Sequence, residues 1–305
     1  MSKTLSIVIP SHNRSDLLRD CLRSIRRHET NRHQVIVVDD GSDGGASSQV
    51  AAAFHGVEIV RNERPMGFAI AANRGIRSAL GAVIQLLNDD TEVEPGWADA
   101  ALSRFDDATV AAVAPLVLRG PSADGVPIID SAGDEYDRGG FARKRGTGQP
   151  LTDYFRQPCE VFGASASSAF YRADVLRAVG GFPESFGAYF EDVDLAWRIR
   201  RAGFRCVYEP RSVVWHRVGS SYRPRRELLE RQSRNEERVY WRNVPAVWRT
   251  LPRHLAVLAG KAVRRVREGT LVPWAVGRLR AFAEVPGILG RRTVSGPPFP
   301  LREEG

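Results

Sequence analysis

An α/β protein with a mostly parallel sheet, helices on both of its faces and a helical C-terminal extension is predicted by three features. Short continuous apolar runs alternate with segments of helical periodicity. Those runs stay apolar on successive residues, as strands buried on both faces do. The chain has 305 residues, enough for one large α/β domain and an appendage.

The elements follow in chain order. Leu5–Ile9 is an apolar run ending at Pro10 and reads as a buried strand. Arg14–Arg27 carries Leu17, Leu18, Cys21, Leu22 and Ile25 at helical spacing, with Asn13 or Ser15 as cap. Gln34–Val38 is a second strand, running into the turn Asp39-Asp40-Gly41-Ser42. Val57–Val60 is a third strand, and Gly67–Leu80 a helix. Ala82–Leu87 is a strand that ends in Asn88-Asp89-Asp90, and Pro95–Phe105 is a helix with Pro95 at its start. Val110–Ala114 is strand-like. Residues 119–150 are rich in Gly, Pro, Asp and Arg and read as a long, mobile loop. Val161–Tyr171 returns to strand character, and Arg172–Val179 is a short helix closed by Gly180-Gly181. Asp192–Ala202 is a helix with Val193, Leu195, Ala196 and Ile199 on one face and Gly203 as its stop. Arg205–Tyr208 and Ser212–His216 read as two short strands, and the chain is helical and basic from about Glu227.

Composition narrows the function. No run approaches the ~20 apolar residues of a spanning helix, and Leu5–Ile9 is shorter than the ~7–15-residue core of a signal peptide. The three cysteines are scattered and form no Cys-x-x-Cys, so a disulfide framework and a zinc ribbon are excluded and a reducing cytoplasm fits. The formal charge of +8 is unevenly spread: residues 1–216 carry a net −3 and residues 217–305 a net +11. A basic excess of that kind suits an anionic partner, or a solvated helical face.

The chemistry concentrates at strand ends, where open parallel sheets bind ligands. The first strand ends in Pro10-Ser11-His12-Asn13, the second in Asp39-Asp40 and the 82–87 strand in Asn88-Asp89-Asp90. Neither Gly-x-x-x-x-Gly-Lys-Ser/Thr nor Gly-x-Gly-x-x-Gly is present, which argues against a P-loop or a nicotinamide site. Paired acids at a strand end suit a hard divalent cation whose other ligands are phosphate oxygens, although Asn and Asp also favour plain turns. A second acidic group, Glu191-Asp192-Val193-Asp194, opens a helix. Such acids can simply answer the helix dipole, the stronger reading for Asp194, while Glu191-Asp192 follows an apolar stretch where a carboxylate could act as general base. His216 ends the last strand, and its nitrogen would suit Mn²⁺.

Together these segments resemble a family-2 glycosyltransferase of the GT-A fold, close to bacterial rhamnosyl- and galactofuranosyltransferases of cell-surface glycan assembly. The matching pieces are Val8 to Arg14, Val37 to Ser42, Gly67 to Gly75, Leu87 to Asp90 and Phe190 to Arg198, with Gly180 to Pro183 and Trp215-His216 in support. The resemblance implies a nucleotide-sugar donor linked through dTDP or UDP, a divalent metal (Mn²⁺ or Mg²⁺), a glycan or polyprenyl-linked acceptor, and inversion at the anomeric carbon. It would place base and ribose on Pro10, Ser11, His12, Asn13 and Asp40, with Asp40 accepting from a uracil or thymine N–H. Gly67, Asn73, Asn88 and Asp89 would line the donor. Asp90 would hold the metal with His216 as a further ligand, and Asp192 would be the catalytic base, supported by Glu191. Asn88 stands where many relatives carry an acid, which leaves Asp90 as the surer metal ligand. A nucleotide-sugar-binding protein without transfer activity, or a nucleotidyltransferase on a similar sheet, is the alternative.

On this reading residues 1–218 form the catalytic domain, with the donor half at about 1–118 and the acceptor half at about 151–218, and 219–305 a basic helical extension. In the extension, Leu251, Leu255, Leu258, Ala262, Val263 and Val266 recur at helical spacing among Arg253, Lys261, Arg264, Arg265 and Arg267. A basic amphipathic helix suits an anionic inner leaflet, which predicts a cytoplasmic protein held peripherally at the membrane. A cap packed on the domain, or a homodimer contact, is the competing expectation. Nucleic-acid binding is not expected, since the aromatic residues follow helical periodicity instead of forming a stacking platform.

Overall fold

The computed structural model describes residues 5–28, 33–121, 125–217 and 226–290. In chain order the strands and helices are β1 (Leu5–Ser11), α1 (Ser15–His28), β2 (Gln34–Asp40), α2 (Ala46–Ala52), β3 (Val57–Asn62), α3 (Phe68–Ser78), β4 (Val83–Leu86), β5 (Thr91–Val93), α4 (Trp97–Ser103), β6 (Val110–Pro121), β7 (Pro127–Ser131), β8 (Asp134–Tyr136), β9 (Ala142–Lys144), β10 (Cys159–Val161), β11 (Phe170–Arg172), α5 (Ala173–Ala178), α6 (Glu191–Arg201), β12 (Arg205–His216), α7 (Arg226–Asn243), α8 (Val247–Arg267) and α9 (Leu271–Gly290).

The central sheet runs β10-β12-β6-β11-β4-β1-β2-β3, with β5 added to β12 and β7 to β6. The long pairings, β1 with β2 and β4, β2 with β3, and β6 with β12, are parallel. Short antiparallel β11 joins the two parallel blocks by pairing with β4 and β6. Both faces are covered. Leu5, Ile7 and Ile9 of β1 pack into one layer with Leu18 and Leu22 of α1, while Val8 enters the opposite layer with Ala72 and Ile76 of α3. That alternation is the pleat of a strand buried on both sides.

Three expectations need correction. Residues 119–150 are not a bare loop: β6 continues to Pro121, β7 pairs with it antiparallel, and β8 and β9 form a hairpin. No apolar run marks β8 and β9, because their exposed and cleft-facing positions are charged, and β7 offers only the short stretch Val126 to Ile129. Val161–Tyr171 is not one strand. β10 stops at Val161 and β11 starts at Phe170. The small residues between them are fitted to close neighbours, for a Cβ on Gly163 would lie 2.7 Å from Cβ of Ala196. Finally, 205–208 and 212–216 are a single strand, β12, whose register to β6 shifts between Glu209 and Val213.

The C-terminal helices are anchored to this core. Val239, Tyr240, Trp241 and Val244 of α7 share a cluster with Tyr136, Phe162, Phe186 and Trp197. Asp194, expected as a helix-start acid, lies in the first turn of α6 and is also fully buried, receiving Arg242 Nε at 3.0 Å and Asn243 Nδ2 at 2.9 Å. Glu237 ties the three helices together, accepting from Trp241 Nε1 (2.6 Å) and Arg278 Nη1 (2.6 Å) and meeting His254 Nε2 at 3.1 Å. Residue 218 of the expected catalytic domain and residues 219–225 and 291–305 of the expected extension lie outside the described residues. No described helix is long and apolar enough to cross a membrane.

Candidate functional site

A cleft of about 770 Å³ opens at the carboxyl ends of β1, β2 and β4. Its floor is formed by Pro10, Ser11, His12, Asp40, Asn88, Asp89 and Asp90, and Gly67 lines one side. The acids of β2 divide their labour. Asp39 is fully buried and caps the following segment, accepting from Ser42 N (2.8 Å) and Ser48 N (3.1 Å). Asp40 faces the cleft, yet its carboxylate already accepts from Asn62 Nδ2 (2.6 Å), Met66 N (2.9 Å) and Gly67 N (2.8 Å). Those bonds hold the β3–α3 connection, where Gly67 turns the chain at φ +92°.

Two of the expected donor residues do not reach the cleft. Asn13, at φ 54°, exchanges bonds with Asp43: its Oδ1 accepts the Asp43 N–H (2.8 Å) and its Nδ2 donates to Asp43 Oδ2 (3.1 Å). Asn73 is buried in α3, where Nδ2 donates to Phe182 O (2.8 Å) and Oδ1 accepts Phe182 N–H (2.9 Å). Each asparagine is engaged by the segment it pins. Neither was distinguishable in the sequence from a side chain free for ligand.

At the Asn88-Asp89-Asp90 rim, Arg14 Nη1 donates to Asp89 Oδ1 (3.1 Å) and Asp90 Oδ2 (2.9 Å). Burial pushes Asp89 up to about 6, against the opposing pull of Arg14 and Ser11. Asp90 lies below the usual carboxylate range: burial works to raise it, and His216 and Arg14 outweigh that. The fold brings His216 to Asp90 through strand register. β5 pairs antiparallel with β12, setting His216 opposite Thr91, and Arg217 N–H bonds Asp90 O at 2.9 Å. His216 Nε2 then sits 3.2 Å from Asp90 Oδ1, a buried oxygen with no aligned hydrogen bond among the described residues. The other ring nitrogen, Nδ1, lies 3.1 Å from Asp130 Oδ2, which also accepts Lys144 Nζ at 2.9 Å. Burial would lower the imidazole; Asp130 and Asp90 override it and push it up to about 9.

This donor set suits a divalent cation. One carboxylate oxygen without an aligned donor faces one imidazole nitrogen, and the imidazole is braced from behind by a carboxylate, the arrangement that orients metal-binding histidines. No group of three His, Cys, Asp or Glu able to hold a metal occurs among the described residues. A cation here therefore needs ligands from a bound molecule, as Mg²⁺ commonly takes from phosphates.

The opposite wall carries Glu191 and Asp192 at the start of α6. Tyr189 (φ 71°) and Phe190 (φ 66°) turn the chain through left-handed conformations just before it, a strained geometry that clusters at functional sites. Asn235 of α7 braces that turn, its Nδ2 donating to the carbonyls of Phe186 (2.9 Å), Ala188 (3.1 Å) and Tyr189 (3.0 Å). Asp192 Oδ1 accepts Val193 N–H (2.9 Å) and Oδ2 accepts Ala166 N–H (3.2 Å). Burial nonetheless raises it above an ordinary Asp. Glu191 is buried with Oε2 unpartnered among the described residues, and burial drives it well above its usual range. Arg14, Asp130, Asp134, Lys144 and Asn235 were not singled out as site residues; only Arg14 carried a signal, its place in the Val8–Arg14 motif.

Asp90, His216 and Asp192 thus line one cleft, with a cation-suited pair on one side and a raised carboxyl on the other. The model described as glycosyl transferase family 2 matches residues 6–180, more than half of the chain. The chain belongs to glycosyl transferase family 2. Relatives in that family include a pre-mycofactocin glycosyltransferase of Mycobacterium tuberculosis, 30% identical over 70% of this chain and 43% of its own length. An N-acetylglucosaminyl-diphospho-decaprenol L-rhamnosyltransferase of the same species is 28% identical over 72% of this chain and 78% of its own length. The chain spans less than half the length of the first of these relatives. The fold is GT-A. GalNAc-T7 with UDP, GalNAc and Mn²⁺ superposes with a TM-score of 0.63 at 18% identity, over 80% of this chain and 49% of that one. The mannosyltransferase PcManGT of Pyrobaculum calidifontis with GDP-Man and Mn²⁺ gives 0.58 at 16% identity, over 94% of this chain and 88% of that one.

Proposed function

We propose that this family-2 member is an inverting glycosyltransferase that moves a sugar from a dTDP- or UDP-linked donor to a hydroxyl of a glycan or polyprenyl-linked acceptor. The observation that carries the reading is the Asp90–His216 pair, 3.2 Å apart, in the same cleft as Asp192. Asp90 and His216 would hold Mn²⁺ or Mg²⁺, and when bound the cation neutralises charge on the departing diphosphate. Pro10, Ser11, His12 and Asp40 border the nucleoside end; Gly67, Asn88 and Asp89 border the sugar. Asp192 takes the proton of the acceptor hydroxyl as that oxygen displaces the diphosphate from the far face of the anomeric carbon. Its raised affinity for protons suits a base working near neutrality. The solved relatives with UDP or GDP-Man and Mn²⁺, and the relative named for a diphospho-decaprenol acceptor, support this choice of partners.

A screen of nucleotide sugars by thermal unfolding tests it. A dTDP- or UDP-sugar is expected to raise Tm in Mn²⁺ and to lose that effect in EDTA. The reading fails when no nucleotide shifts Tm under either condition.

A peripheral place on the cytoplasmic membrane face belongs to the same reading. α8 carries Arg249, Arg253, Lys261, Arg264, Arg265 and Arg267 and no carboxylate. Trp248, Leu255 and Val266 form an exposed apolar stripe along it, separate from the side where Val247 and His254 are buried. An apolar stripe bordered by arginines complements an anionic bilayer, where a polyprenyl-linked acceptor resides. Sedimentation with anionic vesicles is expected to be strong at low salt, to weaken at high salt and to fall in Trp248→Glu. Equal sedimentation with neutral vesicles, or none, contradicts it; concentration-dependent dimerisation abolished by Trp248→Glu would assign the stripe to a second copy instead.

A further inference from the structure

The segment between β6 and β10 supplies a carboxyl that the proposed mechanism leaves unused. Asp134 opens β8, is 5% exposed and lines the cleft with Asp192. Its backbone is fully paired: its N–H donates to Gly163 O and its carbonyl accepts from Phe162 N–H, both at 2.9 Å. Its side chain is not, because Oδ2 is buried without a hydrogen-bond partner among the described residues. An orphaned buried acceptor is destabilising. A ligand that completes it accounts for such a group in a polar cleft.

Asp192 contrasts with it, since two backbone N–H groups hold its oxygens. Backbone donors favour the ionised form, and two neighbouring buried carboxyls do not readily ionise together. When the two share one proton, it rests on the acid without donors. We propose that Asp134 works as a neutral acid and donates its O–H to an oxygen of the acceptor sugar, beside the hydroxyl that Asp192 deprotonates. The inference rests on the glycosyl-transfer reading above. It narrows the acceptor to a polyol offering two oxygens at once, one losing its proton and one accepting a hydrogen bond. The Asp134 proton stays on Asp134. The proton released by transfer goes to Asp192, the acceptor oxygen's electron pair forms the new bond, and the diphosphate leaves with the pair of the broken one.

The groups facing Asp134 agree with this placement. They are Asp192 and Glu191 from α6, Lys144 from β9, Asp130 from β7, Tyr171 from β11 and Cys206 from β12. Lys144 is the cation among them, and its ion pair goes to Asp130 at 2.9 Å. Burial first, and then the Asp192 charge, push Asp134 up to about 8.

The test compares wild type, Asp134→Asn and Asp134→Ala. The infrared spectrum at pH 7 should contain the carbonyl band of a buried carboxylic acid that disappears in Asp134→Asn and, in wild type, titrates away near pH 8. With an acceptor in hand, Asp134→Asn, whose amide still donates, should keep about tenfold more kcat/KM for acceptor than Asp134→Ala. It should also lose the alkaline fall in activity that wild type shows. Superimposable spectra of wild type and Asp134→Asn, or equal loss in the two variants, overturn the inference. If Asp134→Ala does not fold, the band and the alkaline limb decide alone. Binding of UDP or dTDP with Mn²⁺ should be the same in wild type and Asp134→Asn. Failure of wild type to bind either nucleotide breaks the transfer reading, whereas an unchanged infrared spectrum breaks only the role of Asp134.

Discussion

The two sides of the cleft are built from the same residue type and treat it differently. At the Asn88-Asp89-Asp90 rim the carboxylates meet cationic groups: Arg14 bridges Asp89 and Asp90, and His216 stands 3.2 Å from Asp90. Across the cleft, Asp134 and Glu191 are buried with one oxygen each unpartnered among the described residues, and Asp192 accepts from the backbone N–H groups of Ala166 and Val193. Charge partners and hydrogen-bond donors favour the ionised acid, and burial without them favours the protonated one. On the proposed reading one side holds a cation and the other holds and exchanges protons, and single-residue changes should break the two separately.

The largest effect belongs to the proposed base. Asp192→Asn should lower transfer by roughly 10²–10⁴-fold, the range for losing a positioned general base, while leaving Mn²⁺-dependent nucleotide binding intact. On the cation side, Asp130→Asn removes the brace behind His216 and should weaken Mn²⁺ affinity by about 10–100-fold, read by calorimetry, with the fold unchanged. Asn235→Ala should cost about 1–3 kcal/mol in chemical unfolding, because it removes the donor that ties the carbonyls of Phe186, Ala188 and Tyr189 to α7, and should lower kcat through the misplaced start of α6. A further effect is on stability against pH. Asp134, Glu191 and Asp192 all have folded values raised above their unfolded ones. Their contribution is therefore fully present below the unfolded range, about pH 4, and is lost as pH rises through the folded values, about 8 for Asp134. Urea midpoints should fall across that window in wild type and fall less in Asp134→Asn.

The same asymmetry decided what the sequence could reveal. The donor side rests on β1, β2 and β4, whose apolar runs and polar ends are continuous in sequence, so Pro10–His12, Asp40 and Asn88–Asp90 were legible as one rim. On the opposite wall Glu191 and Asp192 were legible as an acidic helix start, but the rest is assembled from a charged hairpin, a run of small residues and a helix at residue 226 and beyond. Asp134 and Lys144 lie on strands with no apolar periodicity to announce them, and Asn235 reaches its turn only through tertiary packing. His216 was legible as a polar end to a strand, but its pairing with Asp90 depends on β5, three residues long. Asn13 and Asn73 misled because a backbone-clamping asparagine and a ligand-binding one look identical in sequence.

The most direct measurement is transfer by Asp192→Asn, with the donor found in the nucleotide-sugar screen and with nucleotide binding measured on the same preparation. The account predicts wild-type affinity for the nucleotide with Mn²⁺ and near-total loss of product. Product formation at the wild-type rate in that variant would contradict it.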